Sequence, residues 1–174
     1  MGLEREPRDE VDALIEAWSR ECPDLDVAPM SVLSRVTRLA RHLDRQRAAA
    51  FSAHGLETWE FDVLAALRRV GSPNQLSPGR LLRETMVTSG TMTNRVDRLA
   101  ARGLVLRALH PGDKRGVLVR LTDAGRAAVD AALADLLMAE RQLLAGLAED
   151  DQHQLAQMLR RLLMVYREEP TATP

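Results

Sequence analysis

The sequence predicts a mainly α protein with one small β-hairpin. Three observations lead there. Apolar residues recur at helical spacing over most of the 174 residues. The period shortens toward two only between Val105 and Leu121. Gly, Pro, Ser and Thr fall where the periodic stretches begin and end. A hydrophobic share of 45% supports a real core. A single Cys excludes a disulfide framework and a Cys-based zinc finger. Aromatics at 3% speak against a base-stacking RNA platform. With no signal-peptide pattern and no apolar run of about 18 residues, the expectation is a soluble, cytoplasmic protein without membrane contact.

Residues 9–21 form the first expected helix, with Val11, Leu14, Ile15 and Trp18 on one side. Cys22-Pro23 and Pro29 break the chain. A long helix then runs from about Ser31 to Ala53, with Leu33, Val36, Leu39, Leu43 and Phe51 in its stripe and Gly55 as its stop. Thr58 is placed to cap a helix of about 59–70. Residues 71–74 read as a loop. Ser77-Pro78 opens a short helix to residue 85, with Ser as cap and Pro at the first helical position. After a tight turn at 86–88, Thr88 is placed to cap a helix to Arg102, closed by Gly103. Its buried stripe is Met92, Val96, Leu99 and Ala100. The hairpin follows, with residues 110–116 as a turn-rich basic tip. Thr122 is placed to cap a helix of about 123–146. A last helix of about 150–168 carries Leu155, Met158, Leu159, Leu162, Leu163 and Tyr166. The tail from Pro170 is expected to be disordered.

Net charge is −1, but it is unevenly spread. Residues 1–30 carry −6, residues 31–79 +3, residues 80–120 +6 and residues 121–174 −4. A basic middle between acidic ends fits one polyanion-binding face. Short helix, tight turn, longer helix and basic hairpin is the order of a winged helix-turn-helix. A recognition helix buries one stripe and offers small polar and basic residues to the major groove. Residues Ser77, Thr88, Ser89, Thr91, Thr93, Asn94, Arg95 and Arg98 are the candidates there. Lys114 and Arg115 are the candidates on the wing, whose turn Asp113 and Gly116 would shape.

Here the chain resembles the MarR family of bacterial transcriptional regulators. The stretches that carry the likeness are TSGTMTNRVDRLAARGLV from Thr88 to Val105, DKRG from Asp113 to Gly116, and VRLTDAGR from Val119 to Arg126. The resemblance implies a homodimer on a pseudo-palindromic double-stranded DNA operator, most simply as a repressor. It also implies three parts of one such domain: an N-terminal extension and first dimerisation helix (1–54), a winged lobe (55–121) and C-terminal dimerisation helices (122–170).

The added N-terminal helix resembles the PecS and urate-responsive branch of that family. That likeness implies a site for a small organic anion, such as urate or an aconitate-like acid, at Trp18, Asp62, Arg95 and Arg107. Two arginines suit such an anion through charge-assisted hydrogen bonds. A carboxylate held near a core needs a cation, and an Arg from the reading lobe is the expected partner of Asp62. Two alternatives stay open: redox sensing through Cys22, and an architectural DNA-binding dimer without a ligand. No nucleophile elbow, phosphate-binding glycine loop, paired carboxylates or metal-ligand spacing stands out, so no enzyme, cofactor or metal is expected.

Overall fold

The computed structural model describes residues 8–85, 89–110 and 113–165. Seven helices and three short strands follow one another over these residues. Helix α1 spans Glu10–Glu21, α2 Met30–Ser52 and α3 Thr58–Arg69. Strand β1 is Gln75–Leu76, followed by α4 Pro78–Thr85 and α5 Ser89–Ala101. Strands β2 (Val105–His110) and β3 (Asp113–Leu121) make the hairpin. Helices α6 (Asp123–Leu144) and α7 (Glu149–Val165) complete the order. The fold is a mainly α winged helix.

Helix α3 is the centre. Seven of its residues are buried: Glu60, Phe61, Val63, Leu64, Ala65, Ala66 and Leu67. Around it close Phe51 of α2, Leu81 of α4, the Met92–Val96–Leu99 stripe of α5, Val119 of β3, and Val129, Ala132 and Leu136 of α6. The Phe51 and Phe61 rings stack with centroids 3.9 Å apart, which fixes the corner between α2 and α3. The cap of α3 differs from the expected one. Glu57 stands at the cap position and Thr58 is the first helical residue. The Glu60 carboxylate turns back to accept the Glu57 N–H at 2.9 Å, so a glutamate satisfies the end that Thr58 was expected to serve.

The hairpin gains a strand that the sequence pattern does not show. β1 pairs antiparallel with β3, giving the order β1-β3-β2. Two residues are too few for a period to register. Asn74, just before β1, adopts φ +54° and is buried. Its side chain donates to the Leu67 and Arg68 carbonyls and accepts from Arg126 at 2.6 Å. One side chain thus closes the C-terminal end of α3 and ties it to α6.

Helix α5 ends as expected. Gly103 takes φ +70°, and the Leu104 N–H reaches back to Leu99 O at 3.0 Å. The Thr122 hydroxyl caps α6 by accepting the Gly125 N–H at 3.0 Å. At Gly125 a Cβ would lie 2.0 Å from Leu104 O, so only glycine lets α6 pass this close to the start of β2.

The outer helices bury little of their apolar stripes within one chain. On α2 only Phe51 is buried, while Leu33 is 57% exposed. No residue of α7 is buried, and Leu155, Met158, Leu159, Leu162 and Leu163 are all exposed. Helix α1 buries only Val11 and is held to α2 largely by charge. Arg35 donates to Asp9 at 2.7 Å and to Asp12 at 2.8 Å, and Arg38 meets Glu10 at 2.5 Å. Asp9 also caps α1. The predicted turn at 86–88 with its Thr88 cap, Tyr166 and the tail lie outside the described residues.

The Arg35 guanidinium, together with the α1 amides, holds the Asp9 carboxyl at about 2, below its ordinary 3.8. Its folded-state value is depressed, so the docking it supports is complete above about pH 4 and is lost as pH falls toward 2. Acid titration of Trp18 fluorescence in a Trp59→Phe background should therefore show α1 loosening in that window. Arg35→Ala should abolish the transition, with α1 already loose at neutral pH. An unchanged titration in Arg35→Ala would contradict this account.

Candidate nucleic-acid interface

Helix α5 divides cleanly into two faces. Met92, Val96 and Leu99 are buried against α3 and α4, while Thr91, Thr93, Asn94 and Arg98 are exposed and Arg95 is half-buried. The 3.6-residue period alone produces this division. Ser77 is exposed ahead of α4, where its hydroxyl accepts the Arg80 N–H at 3.3 Å. Gly116 lies on β3. The side chains of Ser89, Asp113, Lys114 and Arg115, like Thr88, lie outside what is described.

Two ion pairs clamp α5 onto the first turn of α3. Arg102 pairs with the buried Glu60 and also donates to Gly55 O at 2.8 Å. One turn earlier, Arg98 donates to Glu57 at 2.7 Å. Trp59 lies under both outer arginines, with the Arg98 guanidinium 4.7 Å and that of Arg95 5.4 Å from its ring centroid. The Trp59 indole N–H donates to the other Glu57 oxygen at 2.7 Å. That bond, followed by the nearby Arg98 charge, lowers the Glu57 carboxyl below its usual range and keeps it anionic. Glu57, Trp59, Gly90, Thr91, Asn94, Arg95 and Arg98 line an open cleft of about 580 Å³.

Of the four residues expected to hold an anion, Asp62, Arg95 and Arg107 each have a different partner. Asp62 pairs with Arg47 of α2 at 3.3 Å, which corrects the expectation of a cation from the reading lobe. Arg47 precedes Asp62 by 15 residues, and the packing of α2 against α3 brings the two together. Arg107 of β2 pairs with Asp97 of α5 at 2.5 Å. Arg95 stacks on Trp59, and Trp18 is 45% exposed on α1. Among the described residues, none of the four is bonded to another. Cys22 is half-buried at the end of α1, where its N–H donates to Trp18 O at 2.8 Å.

Sequence reasoning passed over Glu57, Glu60, Arg102 and Asp97, and treated Trp59 only as a helix residue. The Glu57/Glu60 spacing before an apolar run does carry a helix-start signal. Their pairing with Arg98 and Arg102, about forty residues away, carries none.

This arrangement defines a winged helix-turn-helix protein with a polar, basic face on its second helix. Residues 54–116 match the MarR family. The chain is 36% identical to the HTH-type transcriptional regulator PecS of Dickeya dadantii (strain 3937), covering 88% of this chain and 92% of that one. It is also 36% identical to the HTH-type transcriptional repressor NicR of Pseudomonas putida, over 62% of this chain and 68% of that one. Among solved structures, a MarR variant from E. coli complexed with operator DNA matches with a TM-score of 0.63 at 28% identity, over 80% of this chain and 99% of that one. The chain belongs to the MarR family. These relatives are transcriptional regulators, not enzymes.

Arg102→Ala should leave Glu60 buried without its cation and cost about 2–3 kcal/mol of stability by urea denaturation. A loss below about 0.5 kcal/mol would show that the clamp is only a surface pair.

Proposed function

We propose that this protein is a homodimeric repressor that binds a pseudo-palindromic operator and is released by a small organic anion. The exposed face of α5 carries the reading. It offers Thr91, Asn94, Arg95 and Arg98 on one side of a helix whose other side is buried. Asn94 and Arg98 suit base edges, Lys114 and Arg115 suit phosphate, and Ser77, Thr88 and Ser89, with the first amides of α4 and α5, suit phosphate oxygens. The uncovered apolar stripes of α2 and α7 support a dimer built from residues 1–54 and 122–170, with residues 55–121 as the lobe between. Half-sites then lie about 10 bp apart.

The proposed anion site uses Trp18, Asp62, Arg95 and Arg107, with urate or an aconitate-like acid as the ligand class. The Arg107–Asp97 pair supplies a physical route from ligand to DNA. An anion that draws Arg107 away leaves Asp97 as an unpaired negative charge on the reading helix, close to the phosphates. By linkage, DNA weakens the ligand by the same factor.

Fluorescence anisotropy on a duplex selected in vitro by the protein tests the reading. Arg115→Ala should weaken selected and random DNA alike and reduce the salt slope by about one. Asn94→Ala should relax base preference, costing about 1–3 kcal/mol on the selected duplex. Equal losses on both duplexes for both variants would refute this division of labour.

Urate titration tests the anion. Asp62→Asn should blunt release while keeping much of the unliganded DNA affinity, whereas Arg107→Ala, which leaves Asp97 unpaired, should weaken DNA binding even without urate and blunt any further release. Release of both variants at the wild-type urate concentration would refute the site.

A further inference from the structure

Of the arginines on the exposed face of α5, Arg98 is already engaged. Its Nη2 donates to Glu57 Oε1 at 2.7 Å, and Trp59 lies beneath its guanidinium. Arg95 shares that ring but has no carboxylate partner among the described residues. Glu57 is itself well fixed. Its backbone caps α3, its N–H is bonded to Glu60, and its second carboxylate oxygen accepts the Trp59 indole N–H at 2.7 Å. The carboxylate therefore has little freedom to follow Arg98 or to swing away from it.

A guanidinium has five N–H donors, and Glu57 takes only one Arg98 nitrogen. Arg98 lines the same cleft as Asn94 and Thr91. What its remaining donors meet next depends on charge. A base-edge oxygen or nitrogen is uncharged and can sit beside the Glu57 carboxylate. A phosphate oxygen is anionic and is repelled by it.

We propose that Glu57, held by the Trp59 indole N–H, is a specificity-determining residue that biases Arg98 toward base edges and against phosphate. Glu57 acts through Arg98 and is a positioning residue, with no contact of its own to DNA. In random DNA the acceptors most readily offered to Arg98 are phosphates, so Glu57 penalises random binding more than binding to a matched site. The proposal rests on the DNA-reading role of α5.

The test compares wild type, Glu57→Gln, Arg98→Ala and the double variant on a selected and a scrambled duplex across a salt series. Gln keeps the shape and one acceptor oxygen for Arg98 but removes the charge, and its amide nitrogen cannot accept the Trp59 indole N–H. For Glu57→Gln, affinity for scrambled DNA should rise about two- to fivefold, the size of one exposed charge pair. Its salt slope should steepen by up to about one phosphate contact. Affinity for the selected duplex should change less than twofold, so discrimination narrows. In the Arg98→Ala background, Glu57→Gln should do nothing to either slope. Equal gains on both duplexes would overturn the proposal. So would the same gain without Arg98, which would mean that Glu57 repels DNA generally. Trp59→Phe keeps the ring and removes the N–H that fixes Glu57. It should shift discrimination the same way to a smaller extent, and it serves if Glu57→Gln fails to fold; unchanged discrimination in it would then count against the proposal. If wild type does not distinguish the two duplexes, the reading role of α5 falls. If it does, and Glu57→Gln keeps both affinities and both slopes, only this inference falls.

Discussion

A helix buried on nearly every side must find partners for its end groups inside the protein, and α3 is such a helix. Its middle turns are covered by α2, α4, α5, β3 and α6. Its ends are more open, with Glu57, Thr58, Arg69 and Val70 exposed, but an end group that faces the core and stays unpaired would cost on the order of a kilocalorie or more. Glu60 answers at one end and Asn74 at the other. Both are about 1% exposed, and both then recruit an arginine from elsewhere in the chain. Glu60 takes Arg102 from just past the end of α5, and Asn74 takes Arg126 from α6.

The consequence is mechanical. Helix α5 is not merely packed on the core through Met92, Val96 and Leu99. It is also held by charge to the first turn of α3, which begins a few residues after α2 ends. The stacked Phe51 and Phe61 make that corner stiff. A change in how the long helices sit has a short path to the face of α5, through Phe51, the Glu57–Glu60 turn, Arg98 and Arg102. A second path enters from the hairpin through Arg107 and Asp97. Charged contacts on α5 thus serve two ends: Arg102 and Asp97 hold the helix in place, while Asn94 and Arg95 remain turned to solvent or stacked at its surface.

Uncovered apolar surface gathers on α2 and α7, away from this clamp. A single chain leaves Leu33, Leu162 and Leu163 largely in water, which is unusual for side chains of that size at helical spacing. The N-terminal helix differs in kind. It buries one valine and relies on Asp9, Asp12 and Glu10 against two arginines, so its attachment is sensitive to acid and salt in a way that the lobe core is not.

Much of the fold was legible in the sequence because it rests on local rules. The periods of α2, α5 and α6, the Ser77 and Thr122 caps, the Gly103 stop and the hairpin all follow from neighbours within a few residues. The two faces of α5 follow from the same arithmetic. What required the tertiary structure was every pairing across distance. The two-residue strand β1 exists only because β3 is there to pair with it. Thr58 gave way to Glu57 and Glu60 because a buried carboxylate could also meet Arg102. Asp62 found Arg47 rather than a lobe arginine because α2 runs beside α3. Sequence spacing lists which charges exist and which helix face they occupy. Which carboxylate meets which arginine is decided by packing angles between helices, and those are settled only when the core around α3 closes.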